Sequence, residues 1–408
     1  MKYSLGALLV VILALGCVSD GMAQDYGAVI ASLKKLDSAI QRIKEFYVAT
    51  NGEPAQYADV NAEGYPVDVN NDLLYEFAMN LEQVVDNMTN VMTEAQTAEA
   101  KRPKNPAAAG HGSITVTGYL HQQYYQEQRD TEDKSSFLSK RARLAVKGKL
   151  NDYTSVKFMG EFASSPKLLD AMLTVSPDKH WALSFGQYKP PFGTEFLRAA
   201  SAWPFVNTSD VKGLGTDRDI GTHLTYKNSV SPNFDFALMA GVFNGSGYNN
   251  SDANTDKNFV ARGEFTIHDM ITLAPNAYIG KSNDTGSAME DINSYGGSAT
   301  WEYGNEIVEG EYIYSKVGDV KMGGWYAWAG HTIKTNAKFL PEMQLLARYA
   351  FLDEDLDVDN DATDCITLGT NFFIDGKYTK LQVNYQINGE QGKSVDNNEI
   401  LMNFQVAF

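Results

Sequence analysis

In residues 139–150, SKRARLAVKGKL, cations recur at alternate positions. Arg141, Arg143, Lys147 and Lys149 share one parity, and Ala142, Leu144, Val146 and Leu150 share the other. Successive side chains of a strand point to opposite faces, so this segment is basic on one side and apolar on the other. A row of cations in a confined space concentrates anions. Arginine adds paired N–H donors that suit phosphate. Lys157, Arg262 and Arg348 carry the same parity in later segments, but so do Glu161, Asp170, Glu264 and glutamates of EIVEGEY. The row therefore reads either as an anion-attracting face or as one side of a transverse field that selects weakly.

Other chemistry has thin support. The six histidines (111, 121, 180, 223, 268, 331) are scattered, with no Ser–His–Asp order, paired-cysteine site or H-E-x-x-H motif. A hydrolase would need a Ser–His pair on neighbouring strands. Asp357, Asp359, Asp361 and Asp364 in LDEDLDVDNDATD have crude calcium-ligand spacing, without the glycine and final glutamate of an EF-hand loop. A solvated loop bridged to lipopolysaccharide fits them better. Cys365 falls at a polar-parity position and reads as a small filler. Nothing asks for a cofactor or a metal.

The elements that hold these residues come in zones. The chain has 408 residues, with 51 Asp and Glu against 34 Lys and Arg, which argues against a nucleic-acid partner. Residues 1–23 read as a signal peptide: Lys2, an apolar run Leu5–Leu15, and cleavage after Gly21-Met22-Ala23. A lipidated Cys17 is the rival reading. Residues 24–98 read as a helical segment. Apolar residues at alternating three-four spacing over 25–48 and 72–98 suit a coiled-coil seam. Self-association and a hairpin folded on itself both remain open. Residues 99–112, EAKRPKNPAAAGHG, read as a linker.

From 113 to 408 the period becomes two. Trp181, Leu183 and Phe185 alternate with Ala182, Ser184 and Gly186, and Phe234, Phe236 and Leu238 with Asp235, Ala237 and Met239. Such segments number sixteen. Short turns (150–152, 176–179, 268–270, 303–305, 374–377) alternate with longer polar loops (126–135, 187–218, 244–257, 281–291, 352–364, 387–397), with 164–167 a short exception. No later run reaches the ~18 apolar residues of a spanning helix. A sheet that crosses hydrocarbon must close on itself to pair its backbone. A terminal strand ILMNFQVAF, with Ile400, Met402, Phe404, Val406 and Phe408 on one face, completes the pattern. The expectation is an all-β transmembrane antiparallel barrel in a bacterial outer membrane. Leu138, Ala142, Leu144, Val146 and Leu150 would face lipid. Lys140, on that side, would reach the headgroups from the strand's outer end.

Residues 137–218 resemble the phosphate-selective porin O and P family. The likeness rests on FLSKRARLAVKGKL, VKFMGEF, LLDAMLTVSP, SFGQYKPPFGTEFL and DRDIGTHL, and above all on Gly186–Gly193 with Glu195. GGWYAWAGHTI and NFQVAF extend it. The resemblance implies a trimeric sixteen-strand porin passing small solutes, with anions or phosphate favoured in some members. It also implies that the third outer loop, counted by hairpins, 187–218, folds inward to narrow the channel, or else caps it or serves a trimer contact. Lys189, Glu195, Arg198, Lys212 and Arg218 would then meet solute. With the row on 141–149 and Lys157, Arg262 and Arg348, these are the candidate pore-lining residues. The expected partners are hydrophilic solutes or anions, membrane lipid and lipopolysaccharide, and further copies in a homotrimer. The helical segment would lie in the periplasm. A non-conducting barrel that anchors or adheres, through its loops or a helical grip on peptidoglycan, is the rival function.

Overall fold

The computed structural model describes residues 112–408 apart from 130–131, 253, 282–289 and 393–394. It also describes Lys34, Asp37, Ser38, Gln41, Lys44, Glu45, Glu82, Asp86, Thr89, Asn90 and Thr93. The signal peptide and the linker up to residue 111 lie outside the described residues. Those described before residue 112 are helical, and Lys44 pairs with Glu82 at 2.7 Å, joining the two apolar-striped segments within one chain.

The strands are β1 (Ser113–Glu127), β2 (Lys134–Lys149), β3 (Thr154–Glu161), β4 (Lys167–Val175), β5 (Trp181–Tyr188), β6 (Asp219–Ser231), β7 (Phe234–Phe243) and β8 (Asn258–Ile267). They continue as β9 (Ile271–Lys281), β10 (Asp291–Tyr303), β11 (Glu306–Val317), β12 (Val320–Ala337), β13 (Leu340–Asp353), β14 (Thr363–Asp375), β15 (Thr379–Glu390) and β16 (Glu399–Ala407). Each pairs antiparallel with its sequence neighbours, and β16 returns to β1, closing the barrel. Closure leaves no strand edge unpaired in lipid.

The outer face is a belt of exposed apolar side chains. Phe158, Phe185 and Phe259 are 52%, 61% and 60% exposed, and Leu183, Leu224, Leu238, Leu273, Leu345 and Leu368 join them. At the short-turn end Tyr153, Tyr303, Phe339 and Tyr378 are exposed, and the Trp181 ring packs at a tilt against Tyr226. Aromatics at that level suit the membrane interface. The turns are tight. Gly304 and Gly376 take positive φ (61° and 51°), as the turns of close hairpins require. One connection on the long-loop side is shorter than the alternation predicts: β11 and β12 are joined by Gly318-Asp319 alone.

The register changes one assignment in the basic strand. His121 pairs with Arg141, but Gln122 pairs with Ser139, so Lys140 is the extra residue of a β-bulge. A bulge reverses the faces beyond it. Phe137 accordingly packs on Tyr124 and the Ser139 hydroxyl bonds Gln122. Leu138 lies opposite Gln123, which pairs with the interior residue Asn403. Leu138 therefore faces the lumen, not lipid as strict alternation predicts, and Lys140 is the cause.

Candidate functional site: a loop-lined channel interior

The long loop 189–218 between β5 and β6 lies inside the barrel. Two glycines in its approach are needed for their backbone. Gly186 has φ 125°, and a Cβ there would sit 2.1 Å from the Ala171 carbonyl oxygen. Gly193 has φ 72° and leads into the single-turn helix α1 (Thr194–Leu197). The loop's Phe192, Phe205, Val211 and Leu214 are buried against inward residues of β7–β13, among them Phe243, Val260, Tyr278, Ile313, Tyr326, Trp328 and Leu346. Burying one such side chain contributes roughly 1.5–3 kcal/mol. Gly324 on β12 makes room for this contact, because an added Cβ would meet Leu214 and Val211 at 3.2 Å.

Buried carboxylates clamp the loop. Glu311 accepts the free backbone N–H groups of Thr194 (2.5 Å) and Glu195 (3.1 Å). Glu195 accepts the N–H and hydroxyl of Ser209, the latter at 2.6 Å, and pairs with Arg348 at 3.2 Å. Arg348 also donates to the Asn207 carbonyl and lies over the Phe205 ring. Arg198 pairs with Glu309, which accepts the Trp328 indole N–H as well. Arg262 donates to the Thr194 hydroxyl and to Glu264. The loop tip is held from β14 and β15. Lys380 donates to the Trp203 carbonyl at 2.9 Å, Gln382 and Asn371 to that of Pro204, and the Val206 N–H donates to Asn384. Charges taken out of water need partners, and each of these groups has at least one, although Arg262 Nη1 and Arg348 Nε are buried without a hydrogen-bond partner among the described residues.

The candidate residues thus divide. Glu195, Arg262 and Arg348 are 5%, 5% and 2% exposed, so they tie the loop to the wall instead of lining water. Arg198 is an anchor through Glu309. Lys149 sits at the short turn, paired with Asp152 at 3.2 Å. On the β2–β4 side the basic row is partly compensated. Arg143 pairs with Glu161 at 2.7 Å and donates to the Tyr119 hydroxyl at 2.8 Å. Asp170 accepts from both Lys157 (2.6 Å) and Arg218 (2.7 Å). Lys189 donates to the carbonyls of Phe196 and Arg198 and has no carboxylate partner among the described residues. Lys147 is exposed. Arg141 lies 4.5 Å over the Trp203 ring, and its Nη1 has no hydrogen-bond partner among the described residues. In the acidic loop, Asp357 pairs with Lys321 at 2.8 Å, and Asp353 and Asp355 accept backbone N–H bonds.

Sequence reasoning missed the apolar bed under the loop, because alternation assigns lumen positions to polar groups. The loop itself held the signal: Phe192, Phe196, Trp203, Phe205, Val206, Val211 and Leu214 are too apolar for a solvated connection. Glu309 and Glu311 were visible only as generic acids in EIVEGEY.

Among solved structures, the barrel is similar to OprB of Pseudomonas putida (11% identity, TM-score 0.54, 73% of this chain and 94% of that one). It is similar to an anion-selective porin from Comamonas acidovorans (15%, TM-score 0.53, 73% and 100%). It also resembles the outer membrane channel DcaP of Acinetobacter baumannii (14%, TM-score 0.53, 74% and 98%). At these identities the likeness is one of fold. No curated protein matches the chain. The family model that matches, over residues 115–286, is the phosphate-selective porin O and P family, the one that the sequence resembles.

Proposed function

We propose that this chain is an outer-membrane porin through which small hydrophilic solutes diffuse passively, with anions favoured. The observation that carries this reading is the division of charge about the loop. Glu195, Glu309 and Glu311 are 5%, 1% and 4% exposed and are spent on holding the loop. The lumen cations Arg141, Lys147 and Lys189 lack a carboxylate partner among the described residues. Glu161 and Asp170 cancel only part of the remaining row. Cations left without a carboxylate partner in a narrow, low-dielectric passage favour anion entry. The arginines offer donors that suit phosphate among other oxyanions. The family match and the closed barrel with its apolar belt support the outer-membrane location. The same reading places 24–98 in the periplasm and the barrel in a homotrimer.

Swelling of proteoliposomes in isosmotic solutes tests passage. Small uncharged sugars should enter at rates that fall with solute size. No swelling with any solute would overturn the channel reading in favour of a plugged anchor.

A further inference from the structure

We infer that Trp203, at the tip of the inward loop, is a positioning residue for selectivity: its indole holds the Arg141 guanidinium in the passage without cancelling its charge. This rests on the proposed anion preference and names the device behind it. The neighbouring cations of the row are held by carboxylates: Arg143 by Glu161, and Lys157 and Arg218 by Asp170. Each such pair fixes a cation at the expense of its field. Arg141 is held differently. Its guanidinium carbon lies 4.5 Å from the Trp203 ring centroid. An aromatic face attracts a cation through its quadrupole but carries no net charge, so this contact sets no opposite charge against the guanidinium. The ring is itself fixed. Trp203 is 8% exposed and packs with Tyr119 and Ala200. Its carbonyl is gripped by Lys380 and Gln382 of β15, which lies beyond β1 and β16 from β2 in the barrel wall. The loop tip therefore sets where this guanidinium stands, as well as how wide the opening is.

The test is reversal potential across a KCl gradient, with full-length protein in planar bilayers. Trp203→Leu should lower the chloride-to-potassium permeability ratio by about twofold or more, the scale set by losing one focused charge. Trp203→Phe, which keeps a ring face, should restore most of the loss. In an Arg141→Gln background, which itself lowers the ratio, Trp203→Leu should add nothing. An equal further drop in that background would show that Trp203 acts through loop shape alone and overturn the inference. So would an unchanged ratio in Trp203→Leu with Arg141→Gln still effective. If Arg141→Gln itself leaves the ratio unchanged, the anion reading of Arg141 fails first, and the positioning role falls with it. Heat-modifiable migration on gels checks that each variant forms a barrel. Should Trp203→Leu not form one, Trp203→Phe and Trp203→Tyr against Trp203→Met carry the same comparison.

Discussion

At the scale of single residues, the interior separates anchors from passage. A buried pair that loses one member leaves an uncompensated charge, at a cost of about 3–5 kcal/mol. Arg348→Met strands Glu195 beside Ser209 and should lower the melting temperature in detergent and make single-channel current noisy. A quiet channel with unchanged melting would remove Arg348 from the anchor set. The passage residues predict opposite signs. Arg141→Ala with Arg143→Ala removes two cations and frees Glu161, so anion permeability should fall. Glu161→Gln keeps an acceptor for Arg143 but removes its negative charge, so anion permeability should rise. Both are read from reversal potentials, and equal signs would refute the assignment. Alternation marked which residues point inward; it did not reveal partners. Arg348 looks like Arg141 in the sequence, because Glu195, the carboxylate that claims it, lies some 150 residues away in the chain, a distance no local pattern spans. Arg262 has Glu264 close by, but its contact to the loop, Thr194, lies some 70 residues off.

At the scale of elements, strands and loop constrain one another. The strands' outward positions are fixed by lipid. Phe185, 61% exposed on β5, faces the belt, and an arginine at a mid-bilayer position costs roughly 2–4 kcal/mol. Phe185→Arg should reduce the folded fraction on refolding into lipid vesicles, whereas the same change at Ala182, half-buried on the lumen parity, should cost less. Equal losses would contradict the facing. The loop's seat depends on shape. Gly324→Val drives a side chain toward Leu214 and Val211, already 3.2 Å from a Cβ. Overpacking of this kind costs about 1–3 kcal/mol, and the displaced loop should change single-channel conductance while the barrel still forms. The strand count was legible because hydrocarbon imposes period two; the loop stood out by its length, but its inward course was an expectation taken from the family resemblance. The bulge at Lys140 was not, since one inserted residue shifts faces without altering composition, and only pairing with β1 exposes it.

At the scale of the whole molecule, a single chain closes a sheet, coats it with apolar side chains and folds one loop back to divide its interior. The net charge of −17 does not describe the passage. Glu195, Glu309 and Glu311 hold the inward loop and other acids sit on the outer loop 354–362, while Arg141 and Lys147 on β2 have no carboxylate partner among the described residues. Asp210 and Asp217 of the inward loop are exposed and form no salt bridge among the described residues. The proposed anion preference therefore rests on where individual charges stand and not on composition. The most direct measurement is the zero-current potential of the wild-type protein in a planar bilayer separating unequal KCl concentrations. Stepwise ohmic conductance with a reversal potential of the sign set by chloride is the predicted result. A reversal potential of the sign set by potassium, or no conductance at all, would contradict the account.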